Sequence, residues 1–159
     1  MNTPSTTLWL DNATLSKNVL QNGSFEDGSF AGWTRSSTTV NQAVYNSGAH
    51  GGTYFAATNS STTTDSIRSD VRIRPQLGDV YTAEVWVKSS VSTPIVGTLA
   101  VWGLGGSQGV ATKDFTATST WSLVTLNFTV SADDYSSLRY ELYWKTPSST
   151  LFFDDAQLY

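Results

Sequence analysis

Val80-Tyr81-Thr82-Ala83-Glu84-Val85-Trp86-Val87-Lys88 alternates strictly, with Tyr81, Ala83, Val85 and Val87 on one side of an extended chain and Thr82, Glu84, Trp86 and Lys88 on the other. Successive side chains of a strand point to opposite faces, so a period of two in β-branched and aromatic residues reads as a strand buried on one side. The pattern recurs along the chain. Leu138, Tyr140, Leu142 and Trp144 alternate with Arg139, Glu141, Tyr143 and Lys145; Val124, Leu126, Phe128 and Val130 alternate with Thr125 and Asn127. Ile67, Val71 and Ile73 alternate with Arg68, Asp70 and Arg72. Shorter strands are expected at 53–57, 96–102, 110–115 and 151–158, with turn residues at 48–52, 75–79, 103–109 and 132–134 between them. About nine strands at such spacing imply an all-β fold, a sandwich of two antiparallel sheets.

The 159 residues suit one domain with a real core. With no Cys and one His, thiol catalysis, disulfides and thiolate metal sites are excluded, and a His-based triad has only His50 to use. Nine basic against 13 acidic side chains give a net charge of −4, which cannot lay a cationic track along phosphates, so nucleic acid is not an expected partner. No apolar run is long enough for a membrane-spanning helix. The chain holds 22 Ser, 23 Thr and six Trp with few charges, a composition common in extracellular modules. A secreted, cell-surface or virion-surface protein is expected.

Thr7-Leu8-Trp9-Leu10-Asp11-Asn12-Ala13-Thr14-Leu15 echoes Thr150-Leu151-Phe152-Phe153-Asp154-Asp155-Ala156-Gln157-Leu158, 143 residues apart. A period of that size suggests a tandem array. Residues 1–16 are then the end strand or linker of a preceding module, and 17–159 the module proper.

Asn22-Gly23-Ser24-Phe25-Glu26-Asp27-Gly28, followed by Gly32-Trp33, resembles the opening of carbohydrate-binding modules of the family 4/9/16/22 group. The Gly-rich turn 48–52, the stretch from Pro75 to Lys88, Trp121, and the closing Phe152-Phe153-Asp154-Asp155-Ala156-Gln157-Leu158 follow in the family's order. One departure is Pro75-Gln76-Leu77-Gly78, where the family pattern has Pro-Gly directly. The resemblance implies a galactose-binding-like jelly roll and a non-catalytic module for polysaccharides or oligosaccharides, of β-linked glucan or xylan type. It also implies a structural Ca²⁺ near the two chain ends, held by Glu26, Asp154 and carbonyls near Gly48 and Gly51. Hard oxygen donors suit that ion. Asp155 is expected to point away from Asp154 by strand alternation.

Binding a sugar requires aromatic planes for its C–H face and amides or charges for its hydroxyls. Trp86, flanked by Glu84 and Lys88, and Tyr143, flanked by Glu141 and Lys145, are aromatic residues on polar strand faces, and both match cleft positions of ligand-binding relatives. Trp102 and Arg35 complete the expected site. Trp33, Trp121 and Trp144 are expected in packing roles, and His50 in a loop without chemistry. Glu84 and Glu141 are the only pair suggesting a glycosidase acid and nucleophile, which need carboxyl groups about 5–9.5 Å apart; catalysis is not expected. A monomer covalently linked to neighbouring modules would gain avidity through repetition. The alternative is a structural spacer or adhesion repeat of a surface or phage-tail protein that binds no sugar.

Overall fold

The computed structural model describes residues 17–159, and the echo at 7–15 lies outside them. Ten strands run in order: β1 (Thr34–Arg35), β2 (Asn41–Tyr45), β3 (Phe55–Asn59), β4 (Ser66–Val71), β5 (Val80–Ser89), β6 (Ile95–Gly105), β7 (Gln108–Ala117), β8 (Ser122–Thr129), β9 (Tyr135–Trp144) and β10 (Leu151–Leu158). They form two five-stranded antiparallel sheets, β1-β4-β9-β6-β7 and β2-β3-β10-β5-β8, called here the first and second sheets. The expected two-sheet jelly roll is therefore present. Strands β1 and β2 escape a reading by alternation because they are short and almost wholly exposed, so no apolar period marks them.

The inward faces interdigitate as the alternation requires. Val85, Val87, Leu138, Tyr140, Leu142 and Trp144 are buried, and Trp33 joins them. Tyr140 keeps its hydroxyl satisfied by donating to the Glu84 carbonyl (2.8 Å), which ties the two sheets through the core. Near the chain ends an aromatic knot seals the sandwich. Phe25 packs edge-on against Phe153 (5.2 Å), and Trp33 edge-on against Tyr140 (5.8 Å). Phe25 adopts φ 58°, which is strained for an aromatic residue, and complete burial of its ring holds it there. That turn sends Phe25 inward and leaves Glu26 free to face the glycine-rich loop.

Candidate functional site

The sequence placed Trp86 and Tyr143 in one cleft; the fold separates them. Strand β5 lies in the second sheet between β10 and β8, so Trp86 and Glu84 emerge on that sheet's outer face. Strand β9 lies in the first sheet between β4 and β6, so Glu141 and Tyr143 emerge on the opposite side of the sandwich. Arg35 belongs to neither group: on edge strand β1 it donates to the Val40 carbonyl (3.1 Å).

On the first sheet, register builds the outer face in cross-strand rows. Asp70 pairs with Arg139 and Arg139 with Trp102; Arg68 pairs with Glu141 and Glu141 with Ala100; Ser66 pairs with Tyr143 and Tyr143 with Thr98. Ala100 is the small residue between the rows that carry Trp102 and Tyr143. Glu141 is only 3% exposed, yet its carboxylate is met on both oxygens, by the Ser66 hydroxyl (2.5 Å) and the Tyr143 hydroxyl (2.6 Å). Burial, reinforced by this carboxylate, holds the Tyr143 hydroxyl well above the usual tyrosine range, so it stays a neutral donor. Arg139 grips Asp70 through two nitrogens (2.6 and 3.2 Å), and that carboxylate raises its pKa further.

At the far end of this face, Lys145 donates to both oxygens of Asp114 (2.7 and 2.8 Å), which also accepts from Thr98 (2.7 Å). Those donors, the lysine first, hold Asp114 below the usual carboxylate range. Arg68 was missed by the sequence reading, since alternation alone gives it no distinction from Arg72. Its Nε and the Trp102 Nε1 are buried donors without a partner among the described residues. Such orphans are uncommon and call for an acceptor. The face therefore offers two half-buried aromatic residues, oriented carboxylates and two guanidinium groups, the chemistry that recognises a polyhydroxylated chain.

The second sheet's outer face is organised differently. His50 stacks on Trp86 with ring centres 3.7 Å apart and planes within 14°. Lys88 lies over the rings of Trp121 (4.8 Å) and Phe152 (5.5 Å). The Trp121 indole donates to the Gly48 carbonyl (3.1 Å). His50, expected to be idle, thus pins the glycine-rich loop against the sheet and shields Trp86.

The same loop receives three carboxylates. Glu26 accepts from the backbone N–H groups of Thr53 and Tyr54 (2.8–3.0 Å), and Asp154 Oδ2 from those of His50 (2.9 Å) and Gly51 (3.2 Å). Gly51 thus meets Asp154 with its N–H. Gly52 has φ 62°, a conformation that favours glycine, and a Cβ at Gly51 or Gly52 would sit 2.5 Å from the Asp155 or Glu26 carboxyl group and displace it from its contacts. Asp155 does not point away as strand alternation predicts. A register shift between Asp154 and Gln157, with Asp155 at φ 47°, turns its carboxylate onto His50 Nδ1 (2.7 Å).

Burial pushes the Asp154 carboxyl up to about 6 against the pull of three backbone N–H groups. The Asp154 and Glu26 carboxylates are hard oxygen donors of the kind calcium takes, but the contacts they make among the described residues are backbone N–H groups. No three acidic or histidine side chains among the described residues cluster as a metal site, so an ion here would depend on backbone carbonyls as well.

Residues 17–150 match the family described as carbohydrate binding domain, CBM 4/9. No curated protein matches the sequence. Among solved structures, the fold is similar to the CBM22-1 xylan-binding domain of Paenibacillus barcinonensis Xyn10C, at 20% identity and TM-score 0.71, covering 86% of this chain and 90% of that one. It is also similar to the CBM22-1–GH10 modules of Clostridium thermocellum xylanase 10B complexed with xylohexaose, at 16% identity and TM-score 0.72, covering 90% of this chain and 28% of that one. A third similarity is to the enzymatically active domain of bacteriophage CBA120 tailspike protein 4, at 12% identity and TM-score 0.68, covering 89% and 21%.

Proposed function

The chain belongs to the carbohydrate binding domain family, and from that premise we propose that it binds a β-linked glycan chain, of xylan or glucan type, along the outer face of the first sheet. The observation that carries the proposal is the continuous surface of Arg139, Trp102, Arg68, Glu141 and Tyr143 across β4, β9 and β6. Trp102 and Tyr143 flank Ala100 and supply planes for sugar C–H groups. Glu141 fixes the Tyr143 hydroxyl, and the half-buried Arg68 and Arg139 side chains flank the rings on the same face. The fold's likeness to a xylan-binding domain supports the polymer class.

The role is non-catalytic. Glu84 and Glu141 emerge from opposite faces of the sandwich, whose two sheets alone pack about 10 Å apart, so they cannot flank one glycosidic bond. We read the protein as a monomeric extracellular module of a larger chain, where linkage to neighbours multiplies weak affinity.

Calcium, if bound, would be held by Glu26 and Asp154 and would supply a cross-tie between the start and end of the module. Added calcium then raises the melting temperature and a chelator lowers it, with Asp154→Asn insensitive to both; equal melting curves would rule it out.

Affinity electrophoresis tests the sugar face. Retardation of the wild type on xylan or a β-glucan, lost in Trp102→Ala and Tyr143→Ala but kept in Trp86→Ala, is expected. Loss only in Trp86→Ala would move the site to the other sheet. No retardation on any polymer would favour the spacer.

A further inference from the structure

The second sheet's outer face carries, beside its aromatic cluster, a shallow cavity of about 110 Å³ whose lining includes Asn41, Ala43, Tyr45, Ala57, Asn59 and Thr150. Its construction follows from register. Ala43 pairs with Ala57 and Ala57 with Phe152, so two methyl groups and a ring edge form a low floor. At one end Tyr45 stacks on Phe55 (5.7 Å, planes within 23°) and remains 50% exposed, which leaves an aromatic surface open to solvent. At the other end Asn41 donates to the Asn59 amide oxygen (3.0 Å), and Asn59 donates to the Thr150 hydroxyl (3.3 Å).

This relay orients the amides and leaves the Asn41 oxygen, one N–H of each amide and the Thr150 O–H without partners among the described residues. Asn41, Ala43 and Tyr45 share one strand face, so the amides and the ring stand about 13 Å apart along it.

We propose that this cavity is a second saccharide site, specific for a neutral pyranose chain. A pyranose presents a flat C–H patch and a hydroxyl rim; Tyr45 and the alanine floor match the first, and the in-plane amides with Thr150 match the second. No charged side chain lines the cavity, so it offers nothing to an acidic or basic ligand. The first sheet's face, by contrast, carries Asp70, Arg139, Glu141, Asp114 and Lys145. With sites on opposite faces, one module would bridge two polymer chains instead of lying along one.

The test is a titration of the full 159-residue chain with xylohexaose, cellohexaose and mannohexaose, followed by calorimetry and by amide and indole NMR resonances. Expected are two sites per chain, with shifts at the Asn41 and Asn59 side-chain amides as well as at the Trp102 indole. Tyr45→Ala should halve the stoichiometry and silence the amide shifts. Asn41→Ala, which leaves the aromatic packing intact, should weaken the same site at least fivefold. Tyr143→Ala should do the converse.

A single site, with Tyr45→Ala and Asn41→Ala titrating as wild type, overturns the second site and leaves the first standing. Amide shifts without a Trp102 response overturn the first site and leave the second. No response to any of the three sugars overturns both, and a concentration-dependent dimer through edge strand β2 would assign this face to a second copy of the chain.

Discussion

The two outer faces are built by the same rule of alternation and end with opposite chemistry. On the first sheet, charged groups are paired across strands: Arg139 with Asp70, Lys145 with Asp114, and the buried Glu141 with two hydroxyls. On the second, rings stack on one another and Lys88 rests on them, with His50 covering Trp86. A face of oriented polar groups around two aromatics reads hydroxyl positions; a face of stacked rings first holds a loop in place. The exposure of a tryptophan therefore says less about ligand binding than what lies on top of it.

The difference is sharpest when both faces are mutated in parallel. The double variant Trp102→Ala/Tyr143→Ala should sharply reduce retardation on the bound polymer, a loss of about 1–3 kcal/mol at the usual contribution of two stacked rings. If calorimetry still shows full affinity, the first face is not the principal site.

Comparable in size is Asp65→Ala, expected to cost about 2–3 kcal/mol in urea unfolding. Asp65 accepts from the hydroxyls of Ser37 (2.9 Å), Thr39 (2.5 Å) and Ser60 (2.5 Å), and Ser36 holds the N–H of neighbouring Ser66 (2.8 Å). These donors, Ser60 and Thr39 foremost, hold its carboxyl below the ordinary value of 3.8. A depressed pKa stabilises the fold above about pH 4 and that contribution is lost as pH falls through the lowered value. Acid unfolding should accordingly flatten in Asp65→Asn; an unchanged pH profile would refute the coupling.

Trp86→Ala should lower stability by about 1–2 kcal/mol through loss of the His50 stack while leaving first-face affinity within about twofold. Smallest is Lys145→Ala. The pair with Asp114 is exposed, so thermal melts should change by less than about 0.5 kcal/mol, and a larger effect would show that the far end of the face is structurally coupled.

Alternation in the sequence located eight of the ten strands and sorted their side chains into inward and outward sets, because burial on one face imposes a period of two. It correctly sent Trp144 inward and Trp86 and Tyr143 outward, while the inward place of Trp33 followed from the family resemblance. It carried no information on sheet membership. That depends on pairings such as Leu151 with Ser89 or Ser66 with Tyr143, between residues far apart in sequence, which no local period records. Asp155 shows the second limit. A bulge with a left-handed residue breaks alternation where it matters, turning a side chain assigned to the far face onto the loop. Arg68 was invisible because its significance is a missing partner, a property of three-dimensional packing alone.

The most direct measurement is the shift of the Trp102 and Trp86 indole resonances while xylohexaose or cellohexaose is titrated into wild-type protein. A saturating shift at Trp102, with Trp86 unmoved beneath His50, is the expected result. A shift at Trp86 with Trp102 silent would contradict it and place the principal binding surface on the second sheet.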